Sequence, residues 1–146
     1  MATRPAVLDA SALVALILDE RGSSTVAKVV KGGAAHTTAT GVAEALNVLR
    51  RKGYTRDSED TVTDIEGLGI VIEPITVDDA TEIAYLQVEA ERPLAENSAG
   101  AARIGSLSLG DACCLAVARR LDAVAVMSDA TWELLDPTRL KIAPFR

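Results

Sequence analysis

Four carboxylates, Asp9, Glu44, Asp111 and Asp129, lie far apart in the chain, yet each falls where a short α/β domain could direct it at one spot. Asp9 closes the run Pro5-Ala6-Val7-Leu8 and Asp129 closes Val124-Ala125-Val126-Met127, so both read as residues at the carboxyl end of a buried strand. Open α/β sheets bind their ligands at that edge. Acids gathered there with no basic residue beside them repel one another, and an oxygen-rich cluster of this kind is relieved by a hard divalent cation such as Mg²⁺. A cation held by carboxylates can polarise a phosphodiester, turn a bound water into hydroxide and stabilise the leaving oxygen without a nucleophile from the protein.

Each acid also has a structural reading. Asp9 could cap the following helix, but Ser11 can do that job, and an acid placed directly after four core residues is better explained by a site. Glu44 falls well off the core stripe Val42, Leu46 and Leu49, which suits a solvated surface position as well as a site. It gains weight because its helix starts just after the second strand. Ser108-Leu109-Gly110-Asp111 fits the pattern that closes a helix N-terminus, while Asp111 shares a stripe with Leu115 and Ala118 and so faces inward. Asp129 could cap a turn starting at Thr131. The only histidine, His36, excludes a nuclease that works with two histidines, and it reads as a packed or edge residue. Arg50, Arg51, Lys52 and Arg103 are candidates to meet substrate phosphates, although the first three equally complement a helix dipole. Trp132 reads as a core or interface residue.

The elements that must position these groups alternate. A strand over 5–8 leads to a helix over 12–20 that Ser11 can cap; it is apolar nearly all round, which calls for burial partly against another subunit. A helix over 24–31, a strand over 35–37, a helix over 41–52 capped by Thr40 and a helix over 56–67 follow. The strand Ile70-Val71-Ile72 precedes a helix over 77–91 that opens with the capping box Thr76/Asp79 and stops at Pro93. Residues 94–105, rich in Ala, Gly and Ser, read as a mobile loop. A helix over 109–121 opened by Ser108, a strand over 124–127, a helical turn over 131–135 and an extended piece over 141–143 complete the chain. Such alternation argues for one α/β domain over 1–146, a parallel sheet with helices on both faces.

Composition sets the outer limits. With 49% hydrophobic but only 3% aromatic residues, the core must be built from Ala, Val, Leu and Ile, as parallel strands under helices require. A net charge of −6 argues against a large basic surface for nucleic acid, so a nucleic-acid substrate would need metal and a local basic patch, or a basic partner. The adjacent Cys113 and Cys114 suit neither a disulfide nor a zinc site and read as core residues of a reducing cytoplasm. Arg4, Pro5 and Asp9 interrupt any N-terminal signal, and no apolar stretch approaches the ~20 residues of a membrane helix. A cytoplasmic protein is expected.

The segments Val7-Leu8-Asp9-Ala10-Ser11-Ala12-Leu13, Val42-Ala43-Glu44-Ala45-Leu46-Asn47-Val48-Leu49-Arg50-Arg51, Leu107-Ser108-Leu109-Gly110-Asp111-Ala112 and Ser128-Asp129-Ala130-Thr131-Trp132 resemble, in order, the four acidic motifs of PIN-domain ribonucleases, above all VapC-type toxins of toxin-antitoxin pairs. The resemblance covers essentially the whole chain. It implies a three-layer α/β/α sandwich with strand order 3-2-1-4-5, and a Mg²⁺- or Mn²⁺-dependent endoribonuclease site. It also implies a homodimer, and a cognate antitoxin that occupies the cleft. By position it makes Asp9 and Asp111 the principal metal ligands, with Glu44 and Asp129 completing the cluster through metal or water and Ser11 steadying the site. The family often carries Thr two residues before the last acid; Met127 stands there, beside Ser128, so Ser128 is the available support.

Two other classes stay open. A phosphatase or phosphotransferase using Asp9 as nucleophile would also place an acid after the first strand, but it wants a second Asp where Ser11 stands, or an acidic pair before the phosphorylated strand. A non-catalytic PIN-like interaction module has no physical reason to keep four mutually repelling carboxylates.

Overall fold

A computed structural model describes residues 3–91, 107–128, 132, 135 and 140–146. Five short strands, β1 (Ala6–Leu8), β2 (Ala35–Thr38), β3 (Val71–Glu73), β4 (Val124–Met127) and β5 (Ile142–Pro144), form one parallel sheet in the order β3-β2-β1-β4-β5. β1 is central: Ala6 is in register with Ala35 on one side and Val124 on the other. The extended piece expected over 141–143 is the edge strand β5.

Six helices cover the sheet: α1 (Ala10–Leu18), α2 (Ser23–Lys31), α3 (Ala39–Arg51), α4 (Ser58–Gly67), α5 (Val77–Glu91) and α6 (Leu109–Arg120). Side chains of a strand alternate between its faces. Ala6 and Leu8 accordingly enter a core with α1, Val26 of α2, Val42, Ala45 and Leu49 of α3 and Ile65 of α4, whereas Val7 enters a second core with Ile83 and Leu86 of α5 and nearly the whole apolar run of α6. This is the three-layer α/β/α arrangement. Trp132 and Leu135 are buried in the second core, so the tryptophan is a core residue, and both cysteines are buried and free.

The caps differ from expectation at two helices, for one reason. α1 begins at Ala10 and its N-cap is Asp9, whose side chain accepts the Ala12 N–H; α3 begins at Ala39 and its N-cap is Thr38, whose Oγ1 accepts the Gly41 N–H at 2.8 Å. In both cases the last extended residue of a strand does the capping, which leaves no connecting loop between strand and helix. Ser11 and Thr40, each two residues further on, lie inside the helices. Thr76 and Asp79 form the reciprocal box at α5, and Ser108 caps α6 by accepting the Asp111 N–H. Pro93, the loop expected over 94–105, and most of the turn expected over 131–135 lie outside the described residues.

The first part of α1 is covered by its own chain: Ala10, Ala12, Leu13, Val14 and Ala15 are buried, and α2, α3 and Phe145 pack around it, while Leu16, Ile17 and Leu18 are only partly buried. Phe145 donates its N–H to Met127 and lies against Gly22, whose φ is +91° and where a β-carbon would stand 2.6 Å from Cδ2 of the ring and 2.8 Å from the Phe145 carbonyl oxygen. Among the described residues no helix is long and apolar enough to cross a membrane.

Candidate functional site

Asp9 leaves the end of β1 at the middle of the sheet and is 5% exposed. Its Oδ1 accepts two hydrogen bonds of 2.7 Å, from the Ala12 N–H and the Ser11 hydroxyl, and the Ser128 N–H also donates to the carboxylate. Ser11 Oγ lies 3.0 Å from Ser128 Oγ. A hydroxyl has one proton; with that of Ser11 on the carboxylate, the Ser128 hydroxyl donates to Ser11, and the two serines form a relay into Asp9. Ser128, the first described residue past β4, thus props Asp9 from the neighbouring strand while Met127 is buried in the core. Burial pushes the Asp9 carboxyl up to about 6; the hydrogen bonds from Ser11, Ala12 and Ser128 oppose this, and the Asp111 charge adds to it.

Asp9 therefore caps α1 while standing at the carboxyl edge of the sheet. Its backbone is held as firmly as its side chain, because the Asp9 N–H donates to Val126 at 3.1 Å and Thr37 Oγ1 donates to the neighbouring Leu8 carbonyl at 2.9 Å.

Glu44 stands in the second turn of α3. The residue is exposed, as its position off the core stripe foretells, but its carboxylate reaches to α6 and touches Gly110. Partial burial and the Asp111 charge raise its pKa. Asp111, half-buried in the first turn of α6, therefore acts electrostatically on both other acids. One turn further on, Cys114 is fully buried; burial pushes its thiol well up, with the charges of Asp9 and Asp111 adding to the effect, so it is no nucleophile.

Three of the four acids expected from the sequence are thus gathered at the carboxyl edge of the sheet, together with Ser11 and Ser128; Asp129 lies outside the described residues. Among the described residues no three carboxylate, histidine or cysteine side chains converge closely enough to hold an ion together. The donor chemistry nonetheless fits a hard cation: all the groups are oxygens, the Asp9 and Glu44 carboxyls are raised by burial and by the Asp111 charge, and Mg²⁺ commonly takes only one or two carboxylates beside waters and phosphate.

Sequence reasoning missed several supports. Thr37 and Thr38 are fully buried at the end of β2, and Gly41 packs its backbone against both of their hydroxyls. A pair of threonines closing a short strand was the only signal. His36 Nδ1 is 2.9 Å from Glu73 Oε1 on β3, a structural pairing away from the acids. Beside the site lies a groove of about 170 Å³ lined by Ser11 and Val14 of α1, Glu44 and Val48 of α3, and Glu20, Lys52 and Arg146. Lys52 Nζ binds Glu20 Oε2 at 2.7 Å, and the Arg146 guanidinium lies 5.2 Å from the centre of the Phe145 ring. Arg50 is turned to Asn47, and Arg103 lies outside the described residues.

A family model for the PIN domain matches residues 6–136. No curated protein matches the chain. Among solved structures, that of VapC20 from Mycobacterium tuberculosis, described as a sarcin-ricin loop cleaving toxin, is similar with a TM-score of 0.61, covering 82% of this chain and 86% of that one at 17% identity, which is a likeness of fold.

Proposed function

Because the chain belongs to the PIN-domain family, we propose that it is a metal-dependent endoribonuclease and the toxin of a toxin-antitoxin pair. The observation that carries this reading is that acids from three elements, the end of β1, α3 and α6, lie within electrostatic reach, with the Asp111 charge acting on both Asp9 and Glu44. A single strand-end acid serving as a covalent nucleophile would not need the other two.

In this reading Asp9 and Asp111 hold Mg²⁺ or Mn²⁺, and Glu44 and Asp129 complete the cluster directly or through water. The bound cation would supply a Lewis acid for the phosphodiester and lower the pKa of a water. The chain's own part is placement. Ser11, Ser128 and the Ala12 N–H hold the Asp9 carboxylate in one orientation, and their hydrogen bonds favour its charged form against burial. Glu44, at the open side between groove and acids, is placed to hold a water through its carboxylate. The groove offers a strand of RNA the apolar side chains of Val14 and Val48 for its sugars or bases, with Arg146 and the Glu20-paired Lys52 to meet a flanking phosphate.

The protein, freed of any partner, is expected to cleave RNA in Mg²⁺ or Mn²⁺ and to stop in EDTA, with activity restored by excess metal. Undiminished cleavage in EDTA would defeat the mechanism, and no cleavage under any metal would favour a non-catalytic module.

Assembly as a homodimer belongs to the same proposal; of the apolar residues that suggested it on the helix over 77–91, Ile83 and Leu86 are buried in the chain's own core, while Ala84 and Val88 stay exposed on α5. Val77, Ala80, Thr81, Ala84, Tyr85 and Val88 recur at helical spacing and are all exposed, Val77 at 89% and Val88 at 71%. A second copy meeting this stripe across a two-fold axis would cover it. Light scattering at micromolar concentration should give the dimer mass, and Tyr85→Lys with Val88→Lys should give the monomer; a parent that is already monomeric would remove this part of the proposal. The remaining partner is an antitoxin that inserts basic residues among the acids.

A further inference from the structure

The acids approach one another across a helix turn that carries no side chain. Gly110 is the second residue of α6, between the cap Ser108 and Asp111. Its backbone is not left-handed, so no special conformation demands glycine there, in contrast to Gly33, Gly53 and Gly69, whose φ values of +82° to +85° do. Glycine is also the weakest helix former but proline. What sets position 110 apart is space. A β-carbon built there would overlap Glu44 Oε2 outright and stand 3.3 Å from Glu44 Cδ and 3.8 Å from Oε1. All three nearest atoms belong to one carboxylate.

We infer that Gly110 is a positioning residue for the acidic site: by lacking a side chain it leaves the slot in which the Glu44 carboxylate lies against the first turn of α6, next to Asp111. Glu44 comes from α3 and Asp111 from α6, and these helices pack together beside the acids. The carboxylate of a flexible Glu on a largely exposed residue yields more readily than the helix backbone does. Any larger residue at 110 therefore turns the Glu44 carboxylate out of the cluster while the fold persists. This inference rests on the proposed nuclease function of the same acids, and it assigns to a glycine the placement of one of them.

The test is a double-mutant cycle between positions 110 and 44 with two readouts, RNA cleavage and the thermal midpoint of the metal-free protein. Gly110→Ala is expected to lower kcat by about 10²-fold, the usual effect of displacing a catalytic group by an ångström, with the midpoint in EDTA unchanged or raised. In a Glu44→Ala background the same change should cost cleavage nothing further, because the displaced group is already gone. Gly110→Ala with Glu44→Asp, whose shorter side chain withdraws the carboxylate from the new methyl, should recover part of the loss. The concentration of Mg²⁺ giving half its thermal stabilisation should rise in Gly110→Ala. Parental cleavage by Gly110→Ala, or an equal loss in both backgrounds, overturns the inference. If Gly110→Ala folds poorly, the pair with Glu44→Ala decides: a recovered midpoint supports the contact, and a persistent defect overturns it. Should the parent not cleave RNA at all, the nuclease reading fails, while the metal-free midpoints still show whether positions 44 and 110 are coupled.

Discussion

Asp9→Asn and Asp111→Asn are each expected to lower RNA cleavage by about 10²–10³-fold or more, the scale on which a preorganised charge acts in a buried site, while the protein stays folded. Charge is removed at nearly constant shape, and Asn caps helices about as well as Asp. The Asp9 arm carries a sign that separates catalytic from structural importance. Its folded-state pKa of about 6 exceeds the ordinary value of 3.8, so the folded chain holds that proton more tightly than the unfolded chain does. In EDTA this group costs nothing below about pH 4, and its penalty grows as pH rises through the interval up to about 6. Above that it stands at roughly 3 kcal/mol, at 1.36 kcal/mol per pKa unit. Asp9→Asn should remove the penalty, so at pH 7 in EDTA the variant melts several degrees higher than the parent, and at pH 4 the two converge. Added Mg²⁺ should stabilise the parent and not the variant. An Asp9→Asn protein that unfolds, or that cleaves like the parent, would mean that capping α1 is all this residue does.

The second large effect is expected in cells. Expression of the chain alone should arrest growth, Asp9→Asn should be tolerated, and co-expression with a cognate antitoxin encoded by a neighbouring gene should restore growth through a complex that co-purifies. The physical ground is the imbalance at the site: the Asp111 charge acts on both Asp9 and Glu44 in a chain of net charge −6, with a groove beside them lined in part by Ser11 and Glu44. A partner segment carrying Arg or Lys would form charge-assisted hydrogen bonds with these carboxylates and occupy the place of the divalent ion, neutralising the site and blocking it in one step. Titrating the purified partner into a cleavage assay should abolish activity at stoichiometric amounts, and the association rate should fall as salt is raised. A chain that is harmless alone and is bound by no neighbouring gene product would end the toxin reading while leaving the nuclease reading to the EDTA experiment.

Which parts of this were legible in the sequence follows from which interactions are local. Val124–Met127 and the strand at 6–8 stand out because strands buried on both faces are continuous apolar runs, and the boxes at Thr76/Asp79 and Ser108/Asp111 close within a single turn. Asp9 against Ser11, and Thr38 against Thr40, were misassigned as caps because either residue of each pair has the chemistry. The choice falls to the backbone angle at the end of the strand, which sheet pairing sets. Glu44 looked like a surface residue because a helical wheel identifies the core side, and the site lies off that side. Gly110, Gly41 and the Ser11–Ser128 bond were beyond reach, since each depends on how closely two segments distant in sequence approach. Arg146 entered the groove only because Phe145 anchors the end of the chain behind α1.

The central position of β1 has a consequence for the timing of biosynthesis. The strand that delivers Asp9 leaves a ribosome well before one of its two hydrogen-bonded neighbours, β4, whose Val124 is in register with Ala6. Non-local strand pairing of this kind is slow, and a domain forms as a unit once its segments are present. Asp111 and the Ser128 prop also arrive late. On the proposed reading, a nascent chain therefore carries Asp9 through the synthesis of everything up to β4 without a complete acidic site. The site proposed here is complete only once β4 and Ser128 have been made, and that interval lets an inhibitory partner of the proposed kind be in place first.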